Sequence, residues 1–151
     1  MEKLIATNRQ AKRDYEIIDT REAGISLLGP EVKSLRESKA NLKDSFAKIE
    51  NGEAYIYNLY ISPYAYSNLK ETDAKRRRKL LLHKEEISRL IGKVQERGFT
   101  LVPLRIYFKK HIVKIELALA KGKRLYDKRE AIREKELNLE LRRAMKYKRN
   151  R

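Results

Sequence analysis

Asn51-Gly52 lies between two runs in which apolar and polar side chains alternate, residues 45–49 and residues 54–62. Both central positions of a two-residue hairpin loop need positive φ, which Asn and Gly adopt at little cost, so the two runs must double back on each other. Two more units have the same form. Residues 14–18 and 23–29 flank a polar turn at Asp19-Thr20-Arg21-Glu22, and residues 100–108 and 112–120 flank Lys109-Lys110-His111. Pro103 lacks a ladder donor and predicts an edge or a bulge in its strand. Phe46 faces away from Ala47 and Ile49, while Tyr55 and Tyr57 share a face. Tyr55 and Tyr57, with Tyr60, Tyr64 and Tyr66 close by, read as interior filling. The alternative is stacking on unpaired bases, should they be exposed.

Two helices punctuate the strands. Residues 29–36 place Pro30 at a helix start with Glu31 in the first turn. Glu85-Glu86 open the second, where Ile87, Leu90, Ile91 and Val94 recur at helical spacing and Gly98 ends the run. The fold class is therefore mainly β (α+β): a six-stranded OB-like antiparallel β-barrel with two to three short helices and a basic C-terminal tail. An open six-stranded sheet with helices on one face is the competing architecture. The chain has 151 residues, of which 41% are hydrophobic and 38% charged. That supports one core, placed in residues 1–120, with residues 121–151 as the tail.

Charge sets the partner class. The formal net charge is +16. Residues 121–151 hold thirteen Lys/Arg against five Asp/Glu, a net of +8. A basic body with a still more basic tail points to RNA. The tail is rich in helix formers, and Leu137, Leu141, Ala144 and Met145 make a narrow apolar stripe that Leu139 interrupts. Arg129 with Arg133 and Glu136 with Glu140 are like-charged neighbours at i, i+4. Such a tail is expected to be disordered when free and helical along a polyanion; the alternative is a helix docked on the barrel. The five cations of residues 75–79 predict a mobile loop that contacts RNA, or else a solvated loop that keeps the protein soluble.

Chemical signatures point away from catalysis. There is no cysteine, and His83 and His111 are the only histidines. HExxH, GxxxxGK[ST] and GxSxG are all missing. His83 reads as a helix-start residue and His111 as an exposed turn residue. The expectation is a protein with no enzymatic activity, metal or cofactor, located in the cytoplasm. The N-terminus lacks a signal-peptide apolar stretch, no run is long enough to span a bilayer, and the tail stripe is too narrow for a membrane-surface helix.

Several segments taken in order carry a resemblance. They are NRQAKRDYEI, EAGISLLGPEVKSLRESKANLKDSF, ENGEAY, RKLLLHKEEISRLIGK, GFTLVPLRIYF, VKIELALAKGK and LYDKRE, from Asn8 to about Glu130. Together they resemble the SsrA-binding protein family (small protein B) of bacterial trans-translation. The resemblance implies an RNA-binding adaptor that carries transfer-messenger RNA to ribosomes stalled on messages without a stop codon. By the same resemblance the barrel is expected to grip the elbow of the tRNA-like domain, and the tail to enter the decoding centre and the empty mRNA channel. Elongation factor Tu with GTP is implied indirectly, and the protein is expected to be a monomer. Carried over, the elbow face comprises Asn8, Arg9, Arg13, Glu22, Leu81 or Leu82, and Lys114. The tail set is Lys121, Gly122, Lys123, Arg124, Tyr126, Asp127, Lys128, Arg129 and Met145, with Tyr126 stacking on a decoding-centre base. Tyr126 and Arg13 stand where the family often has His, so any protonation role at those two positions is lost here. A general ribosome-associated OB-fold RNA-binding protein or RNA chaperone is the alternative. If the tail is unstructured when free, amide exchange beyond Gly122 in the isolated protein will be fast, and protection equal to that of the sheet would overturn the expectation.

Overall fold

The computed structural model describes residues 2–64, 73–123 and 135–146. Tyr66, Arg124, Tyr126, Asp127, Lys128, Arg129 and part of the loop before residue 75 lie outside the described residues. The element order is β1 (Glu2–Thr7), α1 (Arg9–Asp14), β2 (Tyr15–Ile25), α2 (Gly29–Arg36), β3 (Ala40–Asn41), β4 (Phe46–Glu50) and β5 (Glu53–Tyr57). It continues with β6 (Tyr60–Ile61), β7 (Arg78–Leu81), α3 (Lys84–Arg97), β8 (Thr100–Lys109) and β9 (Ile112–Gly122). Residues 135–146 are also helical and exposed along their whole length.

Every strand pairing is antiparallel, and the protein is mostly β. Seven strands form one sheet in the order β1-β8-β4-β5-β7-β2-β9, β3 pairs with β6 apart from it, and β9 pairs with β8 as well as β2. The pairings therefore make a circuit, from β8 through β4, β5, β7, β2 and β9 back to β8. One edge of β8 is shared. Near its start Leu101 pairs with Ala47 of β4, and from Arg105 to Lys109 it pairs with β1. The register shift between Pro103 and Arg105 marks this hand-off, in the strand where Pro103 predicts an edge or a bulge.

The Asn51-Gly52 hairpin forms as predicted, with φ of 51° and 77° and Phe46 opposite Tyr57. The β8–β9 turn takes its left-handed residue at Lys110, φ 60°. Two strand expectations are corrected. The first predicted hairpin is one continuous strand, because residues 19–22 stay in register with β9 and only a bulge between Ile17 and Asp19 marks the polar run. The strand predicted over residues 54–62 breaks at Asn58, φ 61°, which divides β5 from β6. β1, α1, β3 and β7 are additions that the sequence pattern does not reveal. The two expected helices form as α2 and α3, and Gly98 caps α3 in the left-handed conformation at φ 67°. At the start of α3 the His83 amide donates to Glu86, which serves as the capping carboxylate.

The main core lies inside the sheet circuit. It contains Ile56, Leu80, Ile106 and Ile115, all fully buried, with Leu35 of α2 and Leu90 of α3 packed against them. A second, smaller cluster lies on the opposite face of β8–β9, where Ala11 of α1 covers Val102, Leu104, Ala118 and Ala120. Burying apolar area contributes roughly 25 cal/mol per Å², so α1, only six residues long, is held by this contact more than by its own propensity.

The basic run at residues 75–79 is not a free loop. Arg78 is fully buried, its Nε donating to Glu31 Oε2 at 2.6 Å and its other nitrogens to the carbonyls of Leu59, Ala74 and Arg76. Arg76 also donates to Glu31, Arg77 pairs with Glu50, and Lys79 pairs with Glu53. The carboxylates that neutralise the run come from distant segments, so the repulsion expected among the cations does not operate. Burial alone would raise the Glu31 pKa, but hydrogen bonds from Arg76, the Leu28 amide and Arg78 outweigh it and hold the carboxyl below its usual range. A depressed folded-state pKa adds stability that is complete above the unfolded value and is lost as pH falls through the folded one. Glu31→Gln should cost about 3–5 kcal/mol, since it leaves Arg78 buried without its charge partner. In acid titrations followed by thermal melts, the wild-type loss of stability below the ordinary glutamate range should shrink in the variant.

Candidate nucleic-acid interface

One row of paired residues crosses five strands on the outer face of the sheet. Leu4 pairs with Tyr107, Tyr107 with Lys114, Lys114 with Gly24, and Gly24 with Leu81. The next row places Arg105 opposite Glu116 and Glu116 opposite Glu22. Side chains on one face of a strand recur every second residue, so Glu22, Leu81 and Lys114 come together although they are far apart in sequence. Leu81 is 53% exposed, and Leu4 and Ile112 are exposed on the same face. Gly24 is buried, and a Cβ there would meet Leu81 Cβ at 3.1 Å, so the missing side chain is what lets Leu81 lie against β2.

The sequence-derived residues divide clearly. Glu22, Leu81 and Lys114 share the outer face. Arg9 and Arg13 are exposed on α1, which packs over β8–β9 beside it. Leu82 alternates to the other side and packs partly buried against the main core, so Leu81 is the outward leucine. Asn8 is 5% exposed and fully engaged within the protein: its Oδ1 accepts from the Ala11 amide at 3.1 Å and its Nδ2 donates to the Pro103 carbonyl at 2.9 Å. Asn8 caps α1 and ties it to the β8 bulge, so it positions Arg9 and Arg13. Of the tail set, Lys121 and Gly122 end β9, Lys123 follows at once, and Met145 is exposed in the helix of residues 135–146.

Glu22 is held from two sides. The Tyr107 hydroxyl donates to Oε2, and Lys109 Nζ lies 3.3 Å from Oε1. The Tyr107 bond is the largest influence and lowers the Glu22 pKa against the smaller upward effect of burial; Lys109 and Lys114 lower it further. Tyr107 is itself pushed far above the ordinary phenol range, first by burial and then by its bond to Glu22, so its proton stays in place to donate. Arg105 lies over the Tyr107 ring at 4.4 Å and pairs with Glu116 at 2.8 Å and Glu2 at 3.3 Å. A carboxylate fixed among cations repels phosphate but accepts from base N–H groups, which suits it to reading a folded RNA surface. Sequence reasoning missed Tyr107, Gly24, Arg105 and Lys109. Tyr107 reaches Glu22 across 85 positions, so no local pattern could mark it.

Among the described residues no group of three or more His, Asp or Glu could hold a metal ion, and no helix is long and apolar enough to cross a membrane. Fold and face together define a basic, mostly β protein whose outer face sets cations around a fixed carboxylate. The chain belongs to the SmpB protein family, whose sequence model matches residues 5–147. It is 59% identical over 144 residues to the SsrA-binding protein of Caldicellulosiruptor bescii, covering 95% of this chain and 91% of the relative. The SsrA-binding protein of Persephonella marina is 56% identical over 146 residues, with 97% and 95% covered. A solved chain described as "tmRNA-SmpB: a journey to the center of the bacterial ribosome" superposes with a TM-score of 0.66 at 54% identity, covering 78% of this chain and 83% of the other.

Tyr107→Phe removes the hydrogen bond to Glu22 and little volume. Loss of a bond to a charged group is worth about 1.5–3 kcal/mol. Thermal stability should fall by an amount of that order, and RNA affinity measured by filter binding well below the melting point should fall about tenfold; unchanged affinity would show that Glu22 needs no holding.

Proposed function

We propose that this protein binds the tRNA-like domain of transfer-messenger RNA and delivers it to stalled ribosomes in trans-translation. The carrying observation is the cross-strand face on which Glu22, Lys114 and Leu81 converge beside the α1 arginines. Glu22 takes base N–H donors at the bent elbow, Lys114, Arg9 and Arg13 neutralise flanking phosphates, and Leu81 packs against an exposed base or ribose edge. The pairing circuit supports reading the sheet as a small OB-like barrel, a shape that offers a rigid convex body of about the size of a missing anticodon arm. The tail beyond β9 then engages small-subunit rRNA at the decoding centre and lies as a helix along the empty mRNA channel. Lys123, Arg124, Lys128 and Arg129 contact phosphates, and Tyr126 stacks on a base. Aminoacylated transfer-messenger RNA would bring elongation factor Tu and GTP into the same assembly, and the setting is the cytoplasm, where ribosomes work.

Separable lesions test the division of labour. Glu22→Arg should abolish binding to the tRNA-like domain, and Glu22→Gln should weaken it without disturbing the fold. The triple variant Asp127→Ala/Lys128→Ala/Arg129→Ala should keep RNA affinity and block resumption of translation on a stalled ribosome. Equal loss of RNA affinity in both variants would refute the division. Efficient displacement by bulk tRNA or rRNA fragments would instead favour a general RNA-binding protein.

A further inference from the structure

The outer faces of β4, β5 and β7 carry a surface that the elbow face does not use. Phe46 and Tyr57 stack across the strands, with ring centroids 5.4 Å apart and planes within 9°. Lys48 reaches both rings, at 5.5 Å and 6.0 Å. In the neighbouring row Lys48 pairs with Tyr55 and Tyr55 with Lys79. The Arg77 guanidinium lies 4.0 Å from the centre of the Tyr55 ring, held there by Glu50, which also accepts from the Tyr57 hydroxyl. Ala54 and Ile56 take the inner positions of β5. Tyr55 and Tyr57 are therefore not interior filling, as the sequence suggests, but half-buried on the outer face.

Interior packing does not require such a face. Three aromatic rings and three cations occupy the outward positions, with Glu50 and Glu53 between them. Arg77 remains 49% exposed while parked on Tyr55, which leaves guanidinium surface free for another planar group. Arg planes and aromatic rings stack on unpaired bases regardless of sequence, and the flanking lysines suit the backbone between those bases. β7 lies between this surface and the elbow face: Lys79 pairs in register with Tyr55, and Leu81, two residues on, with Gly24.

We propose that Tyr55, Arg77, Lys48 and the Phe46–Tyr57 stack form a second RNA site, one that takes an unpaired single-stranded segment by base stacking. The proposal rests on RNA being this protein's ligand class but not on the elbow face. The probe is oligoadenylate of about 12 nucleotides, set against an abasic strand of the same length and charge. The wild-type protein should bind the adenylate about 5- to 100-fold more tightly than the abasic strand. Tyr55→Leu/Arg77→Gln should remove that preference, and Lys48→Gln/Arg77→Gln, which keeps every ring, should lower it. Both variants should retain their affinity for the tRNA-like domain. Glu22→Arg should behave in the opposite way, losing the tRNA-like domain and keeping oligoadenylate, so failure of the elbow reading and failure of this one are distinguishable. Equal binding of the two strands would mean simple charge attraction and overturn the proposal. Variants that keep the preference for oligoadenylate but bind ribosomes more weakly would mark the face as a protein contact, which also overturns it.

Discussion

The ion pair between Glu31 and Arg78 is the interaction on which the working surfaces depend. A buried charge pair adds little net stability compared with apolar packing, but breaking it is expensive, and so it specifies position. Here it sets the position of β7. Arg78 ties the start of that strand to α2 through Glu31 and to the carbonyls of Leu59 and Ala74. β7 is four residues long and joins β2 through only two residue pairs. A slip of one residue would reverse every side chain, sending Leu81 inward and Leu82 outward. It would also remove Lys79 from the tyrosine face. A strand that short carries too little ladder to resist slippage alone, and a fully buried arginine admits one register.

A second constraint acts at the opposite side of the circuit. β8 must serve β4 at one end and β1 at the other along a single edge. The bulge after Pro103 makes the exchange and leaves the Pro103 and Leu104 carbonyls pointing out of the ladder. Asn8 satisfies both, donating from its side chain to Pro103 and from its amide to Leu104 at 2.7 Å. Buried carbonyls left unpaired would cost about 1–3 kcal/mol each. The residue that repairs the sheet is thus the residue that starts α1, and the placement of Arg9 and Arg13 follows from backbone accounting. Asn8 enters the functional argument through this route.

What could be read from the sequence was local. The Asn51-Gly52 turn, Pro103 and the α3 periodicity ending at Gly98 each state their geometry within a few residues, and each reappears in the structure. The unbroken β2 was hidden because Asp19-Thr20-Arg21-Glu22 has the composition of a turn. Those polar side chains suit a strand whose outer face is open and whose Arg21 reaches Glu86 on α3. β7 was hidden because its cations look unbalanced until Glu31, Glu50 and Glu53 arrive from elsewhere. The short α1 has too few turns for a periodic signal and exists by burying Ala11. The elbow residues came from family resemblance. Their common face is legible only once the register is known, and Tyr107 and Gly24 gave no signal at all.

If the Glu22 face grips a bent RNA as proposed, its electrostatics separate affinity from recognition. A net charge of +16 attracts any nucleic acid, and that attraction falls steeply with salt. Glu22 works against it, placing a negative charge where phosphate would otherwise settle. Tyr107 and Lys109 keep it ionised and aimed, so its repulsion is permanent and directional. A straight duplex laid across the row would bring phosphates toward Glu22 and gain nothing from Leu81. A bent RNA that turns base edges toward the sheet and phosphates toward Lys114 and α1 meets acceptor, apolar surface and cations each in its place. On the proposed reading, selectivity on this face comes from Glu22, a carboxylate whose charge opposes binding in general.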